Sequence, residues 1–382
     1  MAHKAFKFRL YPTKEQEILI AKTMGCCRYV YNRYLHRRNE HYRLTGKGLS
    51  YKACSADMTL LKKDIAWLRE PDSTALQSSL KHLDTAFKHF FNGDAQYPRF
   101  KSKRNTVQSY TAKNNNDSIR VDGSRVLVNK LGWMKFAKSR EVTGRILSTT
   151  LRRNASGTYH IALLVETETT PLPKTGNVCG VDVGLKTLAV ASSGISFINP
   201  KHFKALEDKL TLEQRKLSRR YQQAKRDQKP LSDAKNYQKQ RVKVARIQET
   251  IRNRRNDYLH KVSTHLVKNH DLIGMEDLQV KNMVKNPTLS KTISDASWGI
   301  LQGMVRYKAD WYGKEMVLVG KTFPSSQLCC VCGNKNPSVK DLNVRTWVCA
   351  HCGTLHDRDK NASQNIEQEA IRLRTAGTAG VA

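Results

Sequence analysis

Four cysteines fall into two pairs, Cys329-x-x-Cys332 and Cys349-x-x-Cys352, with sixteen residues between the pairs and a glycine directly after each, Gly333 and Gly353. Four thiolates complete the tetrahedral shell of Zn2+, and a glycine after each pair lets the chain turn so that amides face the sulfurs. One structural zinc is therefore the expected cofactor here, because a closed shell leaves no position open for substrate. The short, knuckle-like spacing suits an iron–sulfur cluster less well, and Cys330 is the alternative to Cys329 as a ligand. Nine cysteines are an odd number, which in a reducing compartment fits metal binding better than a disulfide framework. Cys26, Cys27, Cys54 and Cys179 read as bystanders.

Three acids form a second set. Asp182 sits inside Gly180-Val181-Asp182-Val183-Gly184, a strand-like run where an unpaired carboxylate is costly to desolvate. Glu276 ends the apolar run Leu272-Ile273-Gly274-Met275, and Asp359 follows the cysteine quartet where a C-terminal helix is expected to start. Each alone reads as a cap or a solvated acid; together they offer three carboxylates from strand ends and a helix start, the oxygen set that a pair of Mg2+ ions needs. In a chain so rich in Lys and Arg, such acids face phosphate only if metals intervene, so phosphodiester hydrolysis is the natural chemistry. One Mg2+ would lower the pKa of the attacking water and the other would stabilise the leaving 3′ oxygen. Gly184 would admit the scissile phosphate; Arg358 would either stabilise developing charge or pair with Asp357.

Lys and Arg number 67 against 33 Asp and Glu, a formal charge of +34, and the pI is 10.0. The expected partner is a polyanion, and because the excess is spread along most of the chain, affinity should fall steeply with salt. No run of eighteen apolar residues occurs, and residues 1–20 mix Lys, Arg and Glu with hydrophobes. Neither a membrane span nor a signal peptide is expected, and the reading is a cytoplasmic protein with no membrane partner.

A chain of 382 residues suggests about two to three domains. The alternation of Ala5-Phe6-Lys7-Phe8-Arg9-Leu10-Tyr11 predicts a strand, after which Thr13 caps a helical run. Apolar residues three to four apart, among them Tyr31 and Tyr34, Leu61 and Ile65, and Leu76, Leu80, Leu83 and Phe87, predict a helical bundle over about 13–92. Residues 93–178 read as turns and strands at Tyr97-Pro98-Arg99-Phe100-Lys101, 119–121, 126–128 and 159–165, able with the first strand to close a small barrel. Residues 169–175, with Pro171 and Pro173, read as a linker. Beyond it come two strands (178–183, 187–191), a basic helical hairpin broken near Pro230, a strand at 272–276, a helix at 298–312 and a strand at 316–319, which together imply an α/β sheet. The end, 376–382, is expected to fray.

Read together, these residues resemble the transposon-encoded TnpB (OrfB) proteins, relatives of the compact type V CRISPR effectors. The likeness covers nearly the whole chain. It rests on Lys7-Phe8-Arg9-Leu10-Tyr11-Pro12, Gly25-Cys26-Cys27-Arg28 with Tyr31-Asn32, Tyr97-Pro98-Arg99-Phe100-Lys101, Gly180-Val181-Asp182-Val183-Gly184, Glu276-Asp277-Leu278, Phe323-Pro324-Ser325-Ser326 and Asp357-Arg358-Asp359-x-Asn361-Ala362. The resemblance implies a multi-domain α+β chain. Its parts are a wedge-like β-barrel (1–12 and 93–175), an inserted helical recognition lobe (13–92), a RuvC or RNase H-like α/β nuclease domain (176–322 and 356–382) and a zinc-ribbon target-binding insertion (323–355). It also implies an RNA-guided endonuclease that cuts double-stranded DNA beside a short motif. Asp182, Glu276 and Asp359 are then catalytic, two Mg2+ ions and one Zn2+ the cofactors, and a guide RNA from the transposon end and the target DNA the partners, with no protein partner required. Asp359 is preferred to Asp357 because the family's acid precedes x-Asn-Ala; Ser363 stands where Ala is usual.

Tyr51, Gln77 and Asn114 are the family's motif-reading positions carried over to this sequence. Lys101, Lys103 and Arg104, with Arg99, Tyr97, Phe100 and Tyr110, suit RNA phosphates and unpaired bases, unless the rings pack in the barrel. Arg219, Arg220, Lys225, Arg226, Arg252, Arg254 and Arg255 would line a guide–target duplex or simply form a solvated helix face. The rival expectations are a non-cleaving nucleic-acid-binding accessory or regulator of transposition, and a resolvase that works without RNA.

Overall fold

The structure is a computed structural model in which residues 1–341 and 343–379 are described. It forms two compact units that divide between Glu168 and Thr169, the point at which the linker was expected to begin.

In the first unit, β1 (Ala2–Tyr11) turns Phe8 and Leu10 inward with the two-residue period of a strand. Thr13 then caps α1 (Lys14–Thr45): its hydroxyl accepts from the Gln16 amide, and the Gln16 side chain accepts from the Thr13 amide. Helix α1 runs for 32 residues because its buried stripe, Ile20, Met24, Cys27, Tyr31 and Tyr34, is unbroken until Gly46 closes it in the left-handed region. Next come α2 (Tyr51–Asp64) and α3 (Ser73–Phe91), the latter capped by Asp72, whose carboxylate accepts from the Thr74 amide at 3.0 Å. Six strands follow: β2 (Gln108–Lys113), β3 (Ile119–Asp122), β4 (Arg125–Val128), β5 (Gly132–Phe136), β6 (Arg145–Arg153) and β7 (Tyr159–Thr167). With β1 they make one antiparallel sheet in the order β2-β6-β7-β1-β5-β4-β3.

Several expectations change here. The barrel is not closed by hydrogen bonds, because β2 and β3 are the sheet's two edges and share no ladder. The bundle expected as a separate lobe shares one continuous core with the sheet, where Phe8, Leu10, Ile161 and Leu163 meet Ile20, Tyr34, Leu76 and Leu83. The run Tyr97-Pro98-Arg99-Phe100-Lys101 is irregular chain, not a strand. Pro98 lacks a ladder donor, and the Asn32 side chain pairs with both the N–H and the C=O of Lys101, at 2.8 and 2.9 Å. Strands β2, β5 and β6 lie outside the expected set; in β6 the central Ser148, Thr149 and Thr150 hide the apolar alternation.

The second unit opens with β8 (Val178–Val183), β9 (Thr187–Ala191) and β10 (Ser196–Ile198). The basic hairpin is α4 (Glu207–Arg226) and α5 (Lys235–Asn269), held by an apolar seam of Leu210, Val244 and Ile251. After it come β11 (Leu272–Glu276), α6 (Val280–Met283), α7 (Ser290–Ala296), α8 (Trp298–Tyr312), β12 (Glu315–Val319), a small ribbon of β13 (Thr346–Val348) and β14 (Leu355–Asp357), and finally α9 (Arg358–Ala379). Helix α9 thus continues three residues past the point where fraying was expected, and residues 380–382 lie outside the described ones. No helix among the described residues is long and apolar enough to cross a membrane.

The main sheet of this unit has the order β10-β9-β8-β11-β12, with β8, β11 and β12 parallel. One face, carrying Cys179, Val181, Ile273 and Met275, packs on Leu259, Val262 and Leu266 of α5 and Leu301 and Val305 of α8. The other face receives α9. Gly180 and Gly274 are partners across β8 and β11, and both lie under that helix. A methyl on Gly180 would overlap the Ser363 carbonyl and the Glu367 amide; one on Gly274 would meet the Ala370 methyl at 2.7 Å. The two glycines form a floor flat enough for a helix backbone to rest on.

Candidate metal centres

The register that pairs Gly180 with Gly274 and Val181 with Met275 brings Asp182 level with Glu276 at the carboxyl ends of neighbouring strands, about 4.8 Å apart. Side chains two residues apart share a face, so both acids project on the side covered by α9. Asp359 is the second residue of that helix, which brings the third carboxylate to the same place. Burial, then the carboxylates of Glu276 and Asp359, raise the Asp182 pKa well above the usual carboxylate range, while Arg358 and the Val183 amide oppose the shift. The three acids expected to converge are therefore electrostatically coupled.

Around them, Glu276 accepts the Ser325 hydroxyl at 2.5 Å, and Asp359 faces Arg345 at 3.5 Å. Asp357 is a helix cap whose carboxylate accepts the Lys360 amide at 3.0 Å. Arg358 is not paired with Asp357; its guanidinium donates to the Asp341 carbonyl at 2.6 Å. Gly184 is required by its own turn, since a Cβ there would lie 2.9 Å from the Thr187 carbonyl. Ser363 donates its hydroxyl to the Lys360 carbonyl at 2.8 Å, so the residue that replaces alanine leaves no unsatisfied group. Ser325 and Arg345 were not in the expected site. Ser325 had a signal, the Pro-Ser-Ser run before the ribbon, whereas Arg345 is brought in only by the β13–β14 hairpin.

The metal-free protein carries a penalty here. Because the folded pKa of Asp182 lies above its unfolded value, the carboxylate costs stability once pH rises above about 4, and the full cost applies above the folded pKa. Asp182→Asn is expected to raise the melting temperature of the metal-free protein at pH 7, by roughly 2–4 °C for each kcal/mol of repulsion removed. Calorimetry checks this, and a lower melting temperature would show that the acids are not in conflict.

Cys329, Cys332, Cys349 and Cys352 come together: their four sulfurs lie within 4.8 Å of one another, the only such cluster of potential ligands among the described residues. The Cys329–Cys352 and Cys332–Cys349 separations are both 3.6 Å, close to the ~3.8 Å edge of a tetrahedron with Zn–S bonds of ~2.3 Å. The Thr354 hydroxyl and amide bond to the Cys352 sulfur and lower its pKa to about 6, so this ligand is readily available as thiolate. Cys330 lies outside the quartet, with its thiol on Gln364 at 2.9 Å. The donor set fits Zn2+. Around the sulfurs, the other core side chains among the described residues are Val339 and Trp347, with Val344 at the edge, few to hold this segment without metal. Cys352→Ser is expected to abolish stoichiometric zinc and open the amides of 327–357 to hydrogen exchange; retained protection there would contradict a structural role.

The positions expected to touch nucleic acid differ in exposure and bonding. Gln77 and Arg254 are exposed, and so are Phe100, Lys103 and Arg104, whereas Tyr51 is half-buried against the core. Asn114 has both ends of its amide committed, donating to the Ile146 carbonyl at 2.9 Å and accepting from the Ile119 amide at 2.8 Å. Tyr97 packs edge-on against Phe87 and Phe90 and bonds Asn39, not the sheet, and Arg99 bonds Gln96. Arg255 is paired with Asp295 at 2.8 Å. The Lys101 ammonium lies over the Tyr31 ring at 4.0 Å, beside a cavity of about 230 Å3 lined also by Arg28, His82, Gln108 and Tyr110 and by no carboxylate. Tyr110 is buried on its floor.

An α/β sheet with two acids at its strand ends, a third at the start of the helix over it, a four-cysteine cluster in the same unit and a formal charge of +34 point to a nucleic-acid-directed protein. Residues 160–287 match the IS605 OrfB family, described as "Probable transposase", and residues 298–366 match the Cas12f1-like TNB domain. Residues 1–47 match a "Helix-turn-helix domain" associated with the same family, although here they fold as β1 and a single unbroken helix through Thr45. A protein of Streptomyces pristinaespiralis named "Putative RNA-guided DNA endonuclease" is 38% identical over 98% of this chain and 91% of its own length. InsQ of Escherichia coli, of the same description, is 33% identical over 95% of this chain and 91% of its own length. The chain belongs to the TnpB (OrfB) family of transposon-encoded proteins. Among solved structures, Cas12f1 in its complex with sgRNA and target DNA has a similar fold, with a TM-score of 0.57 over 96% of this chain and 98% of that one at 14% identity.

Proposed function

We propose that this protein is an RNA-guided DNA endonuclease of a transposon, and that Asp182, Glu276 and Asp359 form its hydrolytic centre. The observation that carries the reading is the strand register that sets Asp182 level with Glu276, with Asp359 at the start of the helix over them; burial and then the other two carboxylates raise the Asp182 pKa. Two acids at strand ends and a third at the start of α9 repel one another when ionised, and cations between them would relieve that repulsion. They converge more loosely than the cysteine sulfurs, which suits two ions ~4 Å apart with metal–oxygen bonds of ~2.1 Å, because carboxylates that flank an ion pair need not touch one another. When bound, Mg2+ would activate water and neutralise the charge that develops on the leaving oxygen. In this reading the sheet is of the RuvC, RNase H-like type and the cysteine segment is a zinc ribbon that contacts the target.

The chain's own residues supply position and charge. Asp182 and Glu276 are fixed by strand register, Asp359 by the helix resting on Gly180 and Gly274, and Ser325 holds one Glu276 oxygen. Arg358 and Arg345 leave this acidic centre able to approach phosphate. Elsewhere, Arg28 and Lys101 beside the acid-free cavity, and the exposed cations of α4 and α5, suit an RNA backbone, while base pairing supplies sequence specificity. The sheet of the first unit and its helices take the places of the wedge and recognition segments, and the guide RNA derives from the transposon end.

Sequencing the RNA that co-purifies with the full chain tests this. A discrete transposon-end RNA, required together with Mg2+ for cleavage of DNA carrying the matching sequence, is expected. Protein free of RNA that still cuts DNA would replace the reading with that of a resolvase.

A further inference from the structure

The loop between β12 and the first cysteine pair does more than lead into the metal site. On α9, Asn361 and Asn365 are one helical turn apart and almost fully buried, and both point at this loop. Asn361 accepts the Cys330 amide at 2.9 Å and donates to the Leu328 carbonyl at 2.6 Å. Asn365 donates to the carbonyls of Ser325 and Leu328, at 2.7 Å each. Gln368, a further turn along the helix, donates to the Cys330 carbonyl at 3.0 Å. Within the same loop, the Ser325 hydroxyl donates to Glu276 at 2.5 Å. From the other side, the His356 imidazole lies 3.0 Å from the Cys329 sulfur and packs at a tilt against Trp347, only three residues before Asp359.

We infer that Ser325, Asn361 and Asn365 form a strut that sets the spacing of Glu276 from Asp359, with the metal-loaded cysteine pair as its anchor. Buried amides tied to backbone, through both ends in Asn361 and through two donated bonds in Asn365, are rigid, because loss of a partner strands a desolvated donor or acceptor. Glu276 belongs to β11 and Asp359 to α9, and the loop 325–330 bonds to both. The cysteine site therefore acts on the acid site through structure as well as through any contact with nucleic acid. These three are positioning residues, and the inference rests on the reading of Glu276 and Asp359 as metal ligands.

The test uses the RNA-loaded full chain. Ser325→Ala and Asn365→Ala are compared with wild type for zinc content, for Mn2+ binding by electron paramagnetic resonance with Asp182→Ala as the blank for ions held by RNA, and for the Mg2+ dependence of cleavage. Both variants are expected to keep one zinc and their RNA, to weaken Mn2+ binding by roughly 10–100-fold, and to recover most of the cleavage rate at high Mg2+. Should Asn365→Ala lose zinc, Ser325→Ala, which removes a single hydroxyl, decides the matter. In wild type, zinc chelation is expected to speed amide exchange at 358–366 as well as in the ribbon. Wild-type Mn2+ affinity and Mg2+ dependence in Ser325→Ala, or exchange confined to 327–357 after chelation, would overturn the strut. Cleavage by Asp182→Ala at the wild-type rate would instead overturn the reading beneath it.

Discussion

Glu276→Ala is expected to leave the protein folded and loaded with RNA while lowering DNA cleavage by more than about 100-fold, beyond the 10–100-fold that loss of a supporting residue costs a metal site. Glu276 stands at the end of a strand whose preceding residues are buried, and its carboxylate bonds Ser325 of the loop before the first cysteine pair, so its loss leaves the buried part of β11 in place. Its removal also relieves Asp182 of one of the two charges that raise its pKa, so stability is expected to hold or rise while activity collapses. Cleavage by RNA-loaded variant and wild type, with DNA binding measured in parallel, checks both halves. A variant that binds target but cuts it at an undiminished rate would remove Glu276 from the centre.

Gly180→Ala is expected to be more damaging to the fold than any acid substitution. A methyl there overlaps backbone atoms of α9, at Ser363 and Glu367, and backbone cannot rotate aside as a side chain does. Overpacking a core costs about 1–3 kcal/mol where side chains yield; here the helix itself must lift, so the upper end or more is expected, which is a fall in melting temperature of roughly 6 °C or more. Because α9 carries Asp359, cleavage should be lost with it. Gly274→Ala, whose methyl meets the Ala370 methyl at 2.7 Å and the Ile366 carbonyl at 3.0 Å, is expected to fall in the same direction by a smaller amount. Thermal melts of the three proteins give the order, and an unchanged melting temperature for Gly180→Ala would mean that α9 does not rest on β8.

The chemistry was more legible in the sequence than the architecture. Cys329, Cys332, Cys349 and Cys352 are marked by spacing alone, and the segments holding Asp182 and Glu276 by carboxylates at the ends of apolar runs. The strands of the second unit, 178–183, 187–191 and 272–276, were readable because they are largely buried and their runs are mostly apolar, and the helix 298–312 was readable as well. The first unit was harder. Strand β6 is polar at its centre, β2 and β5 carry few apolar residues, and Tyr97 to Lys101 has strand-like composition but is held by Asn32 from 65 or more positions away in the chain. No local pattern reveals such a partner. Asn114, named only through the family resemblance, has tertiary bonds of the same kind: its amide accepts from Ile119 and donates to the Ile146 carbonyl. Gly180 was visible as a glycine in a strand, but its reason, the helix backbone lying on it, is a tertiary fact.

The central claim is that cations bridge Asp182, Glu276 and Asp359, and anomalous scattering from crystals of the RNA-loaded protein soaked in Mn2+ measures it directly. Two peaks ~4 Å apart, each within bonding distance of these carboxylates, are the expected result. Mn2+ bound elsewhere, with the three carboxylates empty at saturating concentration, would contradict the assignment of this centre.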